Sequence, residues 1–500
     1  MKVNLLPVRL FLGVFLLSGF ILPIWVCPQT SVSFSSFYTE ALTTGPVSGR
    51  MLLIVSQDTT IDPDLPDPFH PFITFGRDFQ NWLPGETLVL NQQNSDCFLS
   101  CPDSLTGWIA LRAVVDTDPG SSILVRDGTC FSDKIIARIE PGKANNIPVP
   151  ITQMLRGKGF REKPNIRLLE VESKLLSDFY GKPTFIEAAV LLPDSYFTDS
   201  LRYYPTMYVF PGWGTIHTAV TQGSFQQKRY GMSGIGEENI VVFLNQDCRF
   251  GFHVFADSKN NGPRATSFVT EFLPVFESQY RAVPRRNARF LTGQSSGAWA
   301  ALWLLINYPD TFGMAWAASP DPVDFSRFLD VNLYSPDANF YYHPTGSLRN
   351  GIDSDSLFFP LRDWITMEKA LGDGGQFQSF ESVFSEKASN GLPDHLFDRE
   401  TGEIIPSTLN SWEAYDINRI LLSRGASLKT QLDDRITIVV AGDDPFFLDE
   451  PVKTLKETLD SLKIEADIRI LDGGGHNTWS NEIREEMHKK MDNMYKTPSP

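Results

Sequence analysis

From Val171 onward, apolar strand-like runs alternate with longer helical segments. That alternation constrains the fold more than any other feature, because it is the pattern of an open, mostly parallel sheet covered by helices. Eight runs qualify: "EVESKLL", "FIEAAVLLP", "PTMYVFP", "NIVVFLNQD", "RFLTGQ", "MAWAASP", "RITIVVAG" and "DIRILDG". The first two are close enough for a hairpin, so an antiparallel start precedes parallel strands. Ahead of the fifth run, Phe268, Phe272, Val275, Phe276 and Gln279 recur at helical spacing. Residues 320–432 are polar, aromatic and broken by Gly and Pro. They are too long for a crossover and are expected to form an insertion overhanging the sheet, with helices near Leu361–Leu371 and Ser411–Ser423.

The fifth run leads into "LTGQSSGAW", a G-x-S-x-G pentapeptide centred on Ser295. Alone it is a weak signal. Its position between the fifth strand and a helix gives it weight, since this strand order matches the α/β-hydrolase sheet, whose nucleophile sits on that turn. A serine hydroxyl needs a base to take its proton and an acid to orient the base, in the order Ser, acid, His. Asp443 and Asp444 follow the seventh strand in "ITIVVAGDDPFFL", and His476 lies in the glycine-rich "ILDGGGHNTW" after the eighth. The expected triad is Ser295, Asp444 and His476, with Asp443 as the reserve acid. Two backbone N–H donors must hold the negative oxygen. Ser296, at the start of the helix, and Trp213, in Pro211-Gly212-Trp213-Gly214 after the third strand, are the candidates. His253, Asp257, Asn260 and Asn261, in the polar stretch after the fourth strand, line the substrate cleft or else form a hydrogen-bonded structural loop. His217 is expected to be structural or to sit at the rim. The chemistry calls for no metal and no cofactor.

The stretches "YYPTMYVFPGWG", "RFLTGQSSGAWAALWLLINYPDTFGMAWAASP", "VVAGDDPFFL" and "GGGHNTW" resemble the putative esterase family, which includes enterochelin esterases, esterase D-type enzymes and feruloyl esterases. The resemblance covers most of residues 180–500, and is greatest to multidomain exported members with N-terminal stretches like "SGRMLLIVS" and "NWLPGETLVL". It implies serine-dependent cleavage of carboxylic esters. In such relatives the oxyanion loop commonly begins His-Gly. Here it begins Pro211-Gly212, which removes a side chain that usually braces the loop.

Ahead of this domain, residues 50–170 carry short β-type runs between Pro- and Gly-rich turns and are expected to form an all-β sandwich. Residues 28–49, rich in Ser and Thr, are expected to be a tether. At the N-terminus, Lys2 and Arg9 precede an apolar run of 17 residues, Leu10–Val26, the length of a signal-peptide core or a membrane anchor. The protein is therefore expected to be exported, to the periplasm, cell surface or exterior, with Cys27 open to lipidation. After export a disulfide could form within Cys97, Cys101 and Cys130, three candidates that leave one unpaired. The net charge of −16 argues against nucleic-acid partners and anionic membrane surfaces. The domain reading is thus 1–27 signal or anchor, 28–49 tether, 50–170 β-sandwich and 171–500 α/β-hydrolase domain. The substrate is a small-molecule or polysaccharide-linked ester, and any membrane contact is through the N-terminal segment. Two alternatives remain at this stage: acyl transfer by the same triad, and a non-catalytic binding module on a hydrolase fold.

Overall fold

The computed structural model describes residues 29–118, 120–157, 159–221, 236–352 and 357–497. The expected signal segment, with Cys27, lies outside them.

The α/β sheet has eight strands: β1 (Ile166–Glu172), β2 (Phe185–Leu191), β3 (Thr206–Phe210), β4 (Ile240–Leu244), β5 (Arg289–Ser295), β6 (Met314–Pro320), β7 (Ile436–Ala441) and β8 (Asp467–Leu471). Their order across the sheet is β1-β2-β4-β3-β5-β6-β7-β8. β2 runs antiparallel to both β1 and β4, and every pairing from β4 to β8 is parallel. Strands β3 to β7 are buried on both faces except at the two ends of β5, which is why they read as unbroken apolar runs. The first strand lies a few residues earlier than expected. "SKLL" instead begins the helix Lys174–Tyr180, because Ser173 accepts the Leu176 N–H at 3.1 Å and caps it.

The N-terminal domain is a nine-stranded β-sheet: eight strands form one hydrogen-bonded path, and Ile135–Ile139 pairs off it with Gly107–Asp116. Strand Ala144–Met154 joins its two parts, pairing first with Ser31–Phe37 and then with Cys130–Ser132. Phe34 and Val32 share one core with Met51, Leu53, Phe75 and Val149. Residues 31–37 are therefore a core strand, contrary to the expected tether. Alternating burial of Val32 and Phe34 between serines is a period-2 signal that the Ser/Thr-rich composition concealed. The upstream limit of the α/β unit also moves, since β1 already belongs to the large sheet. The four described cysteines, Cys97, Cys101, Cys130 and Cys248, are unpaired thiols. Among the described residues no helix is long and apolar enough to cross a membrane.

The insertion after β6 contains α2 (Leu361–Leu371) and α3 (Gln376–Phe384), the first with the bounds expected. The second expected helix is divided at Asp416 into Pro406–Trp412 and Ile417–Leu432, because the Asp416 side chain caps the latter. The β domain grips the C-terminal end of α2: Arg50 donates to the carbonyls of Lys369 at 2.8 Å and Ala370 at 3.0 Å. Those carbonyls lack intrahelical partners and carry the negative end of the helix dipole. Asp247, just after β4, accepts from the Ser122 N–H at 2.8 Å and from the Ser122 hydroxyl at 2.6 Å, giving a second clasp.

Between α2 and α3, buried Glu368 accepts the Phe377 N–H at 3.2 Å, and burial pushes its carboxyl up to about 7. A raised folded-state value means that the native protein holds this proton longer than the unfolded chain. Its contribution to stability is thus fullest below the ordinary glutamate range and is lost as pH rises through about 7. Glu368→Gln should therefore gain Tm relative to the parent at pH 8, with the gap shrinking toward pH 5, measured by thermal melts across that range.

Candidate active site

Close backbone packing shapes the turn between β5 and helix α1 (Ser296–Asn307). A Cβ on Gly297 would lie 1.9 Å from the Phe210 carbonyl oxygen, and one on Gly293 would lie 2.3 Å from the Gly297 backbone. Only glycine permits that approach, and it lets α1 start directly over the ends of β3 and β5. Ser295, between the glycines, has φ 57° and ψ −126°. A serine held there stores on the order of 1–3 kcal/mol of strain, supported by the packing around it. The register between β5 and β6 also shifts at Gln294/Ser295.

His476 and Asp444 meet from the loops after β8 and β7. His476 Nδ1 is 2.9 Å from Asp444 Oδ2, and Asp444 is only 2% exposed. The other Asp444 oxygen accepts the Phe446 N–H at 2.9 Å, and the Phe446 ring stands edge-on to the imidazole. Asp443 does different work, accepting the Gly475 N–H at 2.9 Å and so shaping the glycine turn that presents His476. Gln294, beside Ser295, donates to the His476 carbonyl at 2.9 Å and ties that loop to the elbow.

The loop after β3 runs beside the elbow, where a Cβ on Gly212 would be 3.5 Å from Ser295 Cβ. Trp213, 41% exposed, follows, and its backbone N–H donates to no group among the described residues. Ser296 occupies the first position of α1, where backbone N–H groups have no intrahelical acceptor. Gln246, at the end of the fourth run, donates to the Pro211 carbonyl at 2.6 Å and so holds this loop. Gln246 is buried, and the sequence reading passed over it because a lone glutamine after a strand carries no pattern of its own.

A third aspartate also escaped that reading. Asp321 follows β6 at the same sheet edge and takes hydrogen bonds from Ser295 Oγ at 3.0 Å and Ser296 Oγ at 2.6 Å. Burial raises its carboxyl above the usual range, with the two serine hydroxyls pulling the other way. Its position directly after a strand, the same signal that marks Asp443 and Asp444, is its one trace in the sequence. A cavity of about 10 Å³, room for roughly one water, abuts Ser296 and Asp321. Phe328, Phe380 and Phe384 form much of its apolar wall.

The polar stretch after β4 proves to be the structural alternative, and its residues are spent on the protein itself. His253, Asn260 and Asn261 are buried. His253 Nδ1 accepts the Phe255 N–H, and burial holds the ring well below its ordinary value. Asn260 and Asn261 donate to Ser385 and Ser382 beside and within α3, and Asp257 accepts the Thr266 N–H. Asn260 and Asn261 thus clasp the insertion, while the His253 and Asp257 side chains bond to residues close to them in the chain. His217 is buried as well, and burial lowers it to about 4. Among the described residues no group of three His, Cys, Asp or Glu side chains is arranged to hold a metal.

The family model described as "Putative esterase" matches residues 183–485. No curated protein matches the chain. Among solved structures, the chain is similar to an S-formylglutathione hydrolase from Agrobacterium tumefaciens, at 15% identity over 66% of this chain and 95% of that one, TM-score 0.40. It is also similar to FphF, a fluorophosphonate-binding serine hydrolase of Staphylococcus aureus, at 13% identity over 67% and 100%, TM-score 0.40. A ferulic acid esterase from Anaeromyces mucronatus shares 15% identity over 68% and 94%, TM-score 0.34.

Gly297→Ala should destabilise the protein by about 3 kcal/mol or more, since the obstructing atom is backbone and cannot swing aside. Chemical denaturation of the variant beside Gly391→Ala, which meets nothing within 4 Å but has a positive φ, separates this clash from simple loss of a glycine.

Proposed function

The chain belongs to the Putative esterase family, which makes it an ester hydrolase, and we propose that it works through an acyl-enzyme on Ser295. The observation that carries this reading is the elbow itself: a serine at φ 57° where the fifth strand meets a helix, beside a buried His476–Asp444 pair. Strain of that kind, fixed by backbone packing, is the expected setting of a nucleophile.

In this mechanism Ser295 Oγ attacks the ester carbonyl while His476 takes its proton. Asp444, holding Nδ1, fixes the tautomer and stabilises the imidazolium. The N–H groups of Trp213 and Ser296 receive the oxyanion. His476 then returns the proton to the departing alcohol, and water repeats the sequence to release the acid. Asp443 has no direct part, being engaged with the glycine turn. The N-terminal charge and apolar run support export of the protein, and a small-molecule or sugar-linked carboxylic ester is the substrate class we assign.

Purified protein should hydrolyse a short-chain aryl ester, and Ser295→Ala should lose at least about 10³-fold in kcat/KM. Unchanged turnover in that variant defeats the proposal. Asp444→Asn should lower kcat far more than Asp443→Asn, because only the former orients the imidazole. The opposite ranking in steady-state kinetics would transfer the acid role to Asp443.

A further inference from the structure

The proposed triad leaves Asp321 without a task, although it is the group that touches the nucleophile. Among the described residues, Ser295 Oγ gives its hydrogen bond to Asp321 and none to His476. A hydroxyl has one proton. While it points to Asp321 it is not being drawn toward the imidazole. Building on the assignment of Ser295 as nucleophile, we propose that Asp321 is a positioning residue that holds the Ser295 hydroxyl in a resting orientation, turned from His476, from which substrate binding must release it.

The carboxyl is anchored so that it cannot follow the serine. Its second oxygen accepts the Ser296 hydroxyl at 2.6 Å and lies 3.5 Å from Gln376 Nε2, at the start of α3. The Gln376 amide also donates to Ser296 Oγ at 3.3 Å. The Asp321 N–H meets the Ser295 carbonyl at 3.3 Å, and Ser319, two residues back, has φ 42°, so the chain itself turns toward the elbow. Among the described residues no Lys or Arg forms an ion pair with Asp321. The charged groups that bear on it are His476 and Asp444. A carboxyl buried without a cation depends on its hydroxyl donors, and a hydrogen bond to a charged acceptor is roughly twice as strong as a neutral one. That dependence keeps the serine turned toward Asp321 in the free enzyme. Deacylation is exempt, since Oγ then carries no proton.

A fluorophosphonate reports on the nucleophile directly: the Oγ–P bond forms, the P–F bond breaks, fluoride leaves, and the hydroxyl proton passes to His476 and then to solvent. Asp321→Asn preserves shape and removes the charged acceptor. It should be phosphonylated about fivefold faster, given the weaker neutral bond. Acylation by a short aryl ester, read from the pre-steady-state burst, should rise in step, with the deacylation rate unchanged. Ser296→Ala moves the other way: Ser295 becomes the carboxyl's sole hydroxyl donor, and labelling should slow about twofold. Equal or slower labelling of a folded Asp321→Asn protein overturns the proposal. So does faster labelling of Ser296→Ala, which serves if the asparagine variant does not fold. Failure of the parent to label, or labelling that persists in Ser295→Ala, instead overturns the nucleophile assignment on which the proposal rests.

Discussion

The active edge depends on one steric fact: two glycines let a helix start against the Phe210 carbonyl. Without that approach α1 would stand farther from β3, and Ser295 would have no reason to adopt φ 57°. The same packing brings the Gly212 loop to the elbow and puts Ser296 at the first turn of the helix, where free N–H groups are found. The strain at Ser295 is small beside the apolar burial on both sides of it. Leu291 and Ala298, in the flanking strand and helix, are fully buried in the main core.

Two adjacent aspartates divide the remaining work in a way that spacing alone did not settle. A step of one residue after β7 sends Asp444 inward to the imidazole and leaves Asp443 over the glycine turn. One carboxylate orients a ring and the other shapes a backbone. The loop that holds His476 is thus fixed from both sides, by Asp443 and by the Gln294 amide. Such bracing suits the proton transfer proposed for His476, which demands placement within about half an ångström.

Much of this was legible in the sequence because it follows from period and order. Both-face burial makes apolar runs, and Ser295, Asp444 and His476 fall at sheet-edge positions that can be counted. Elements that escaped were of another kind. Ser31–Phe37 hid its two buried apolar residues among serines. Gln246 and Asp321 act through tertiary approach, which leaves no periodic trace. The polar loop after β4 left two readings open, since dense side-chain hydrogen bonding to a distant helix looks in sequence like a lined cleft.

That loop and Arg50 together explain why the β domain and insertion bear on the chemistry at all. Arg50 holds the C-terminal end of α2, and Glu368 within α2 receives the first free N–H groups of α3. At the start of α3, Gln376 reaches Ser296 and Asp321, while Asn260 and Asn261 fix the far end of the same helix. Each link is a polar contact at a helix end or a buried carboxyl, where a lost partner leaves an unpaired group in a low dielectric. Such contacts are costly to break and tolerate little drift. The β domain is therefore linked through α2 and α3, by a continuous run of polar contacts, to Ser296 and Asp321 beside Ser295.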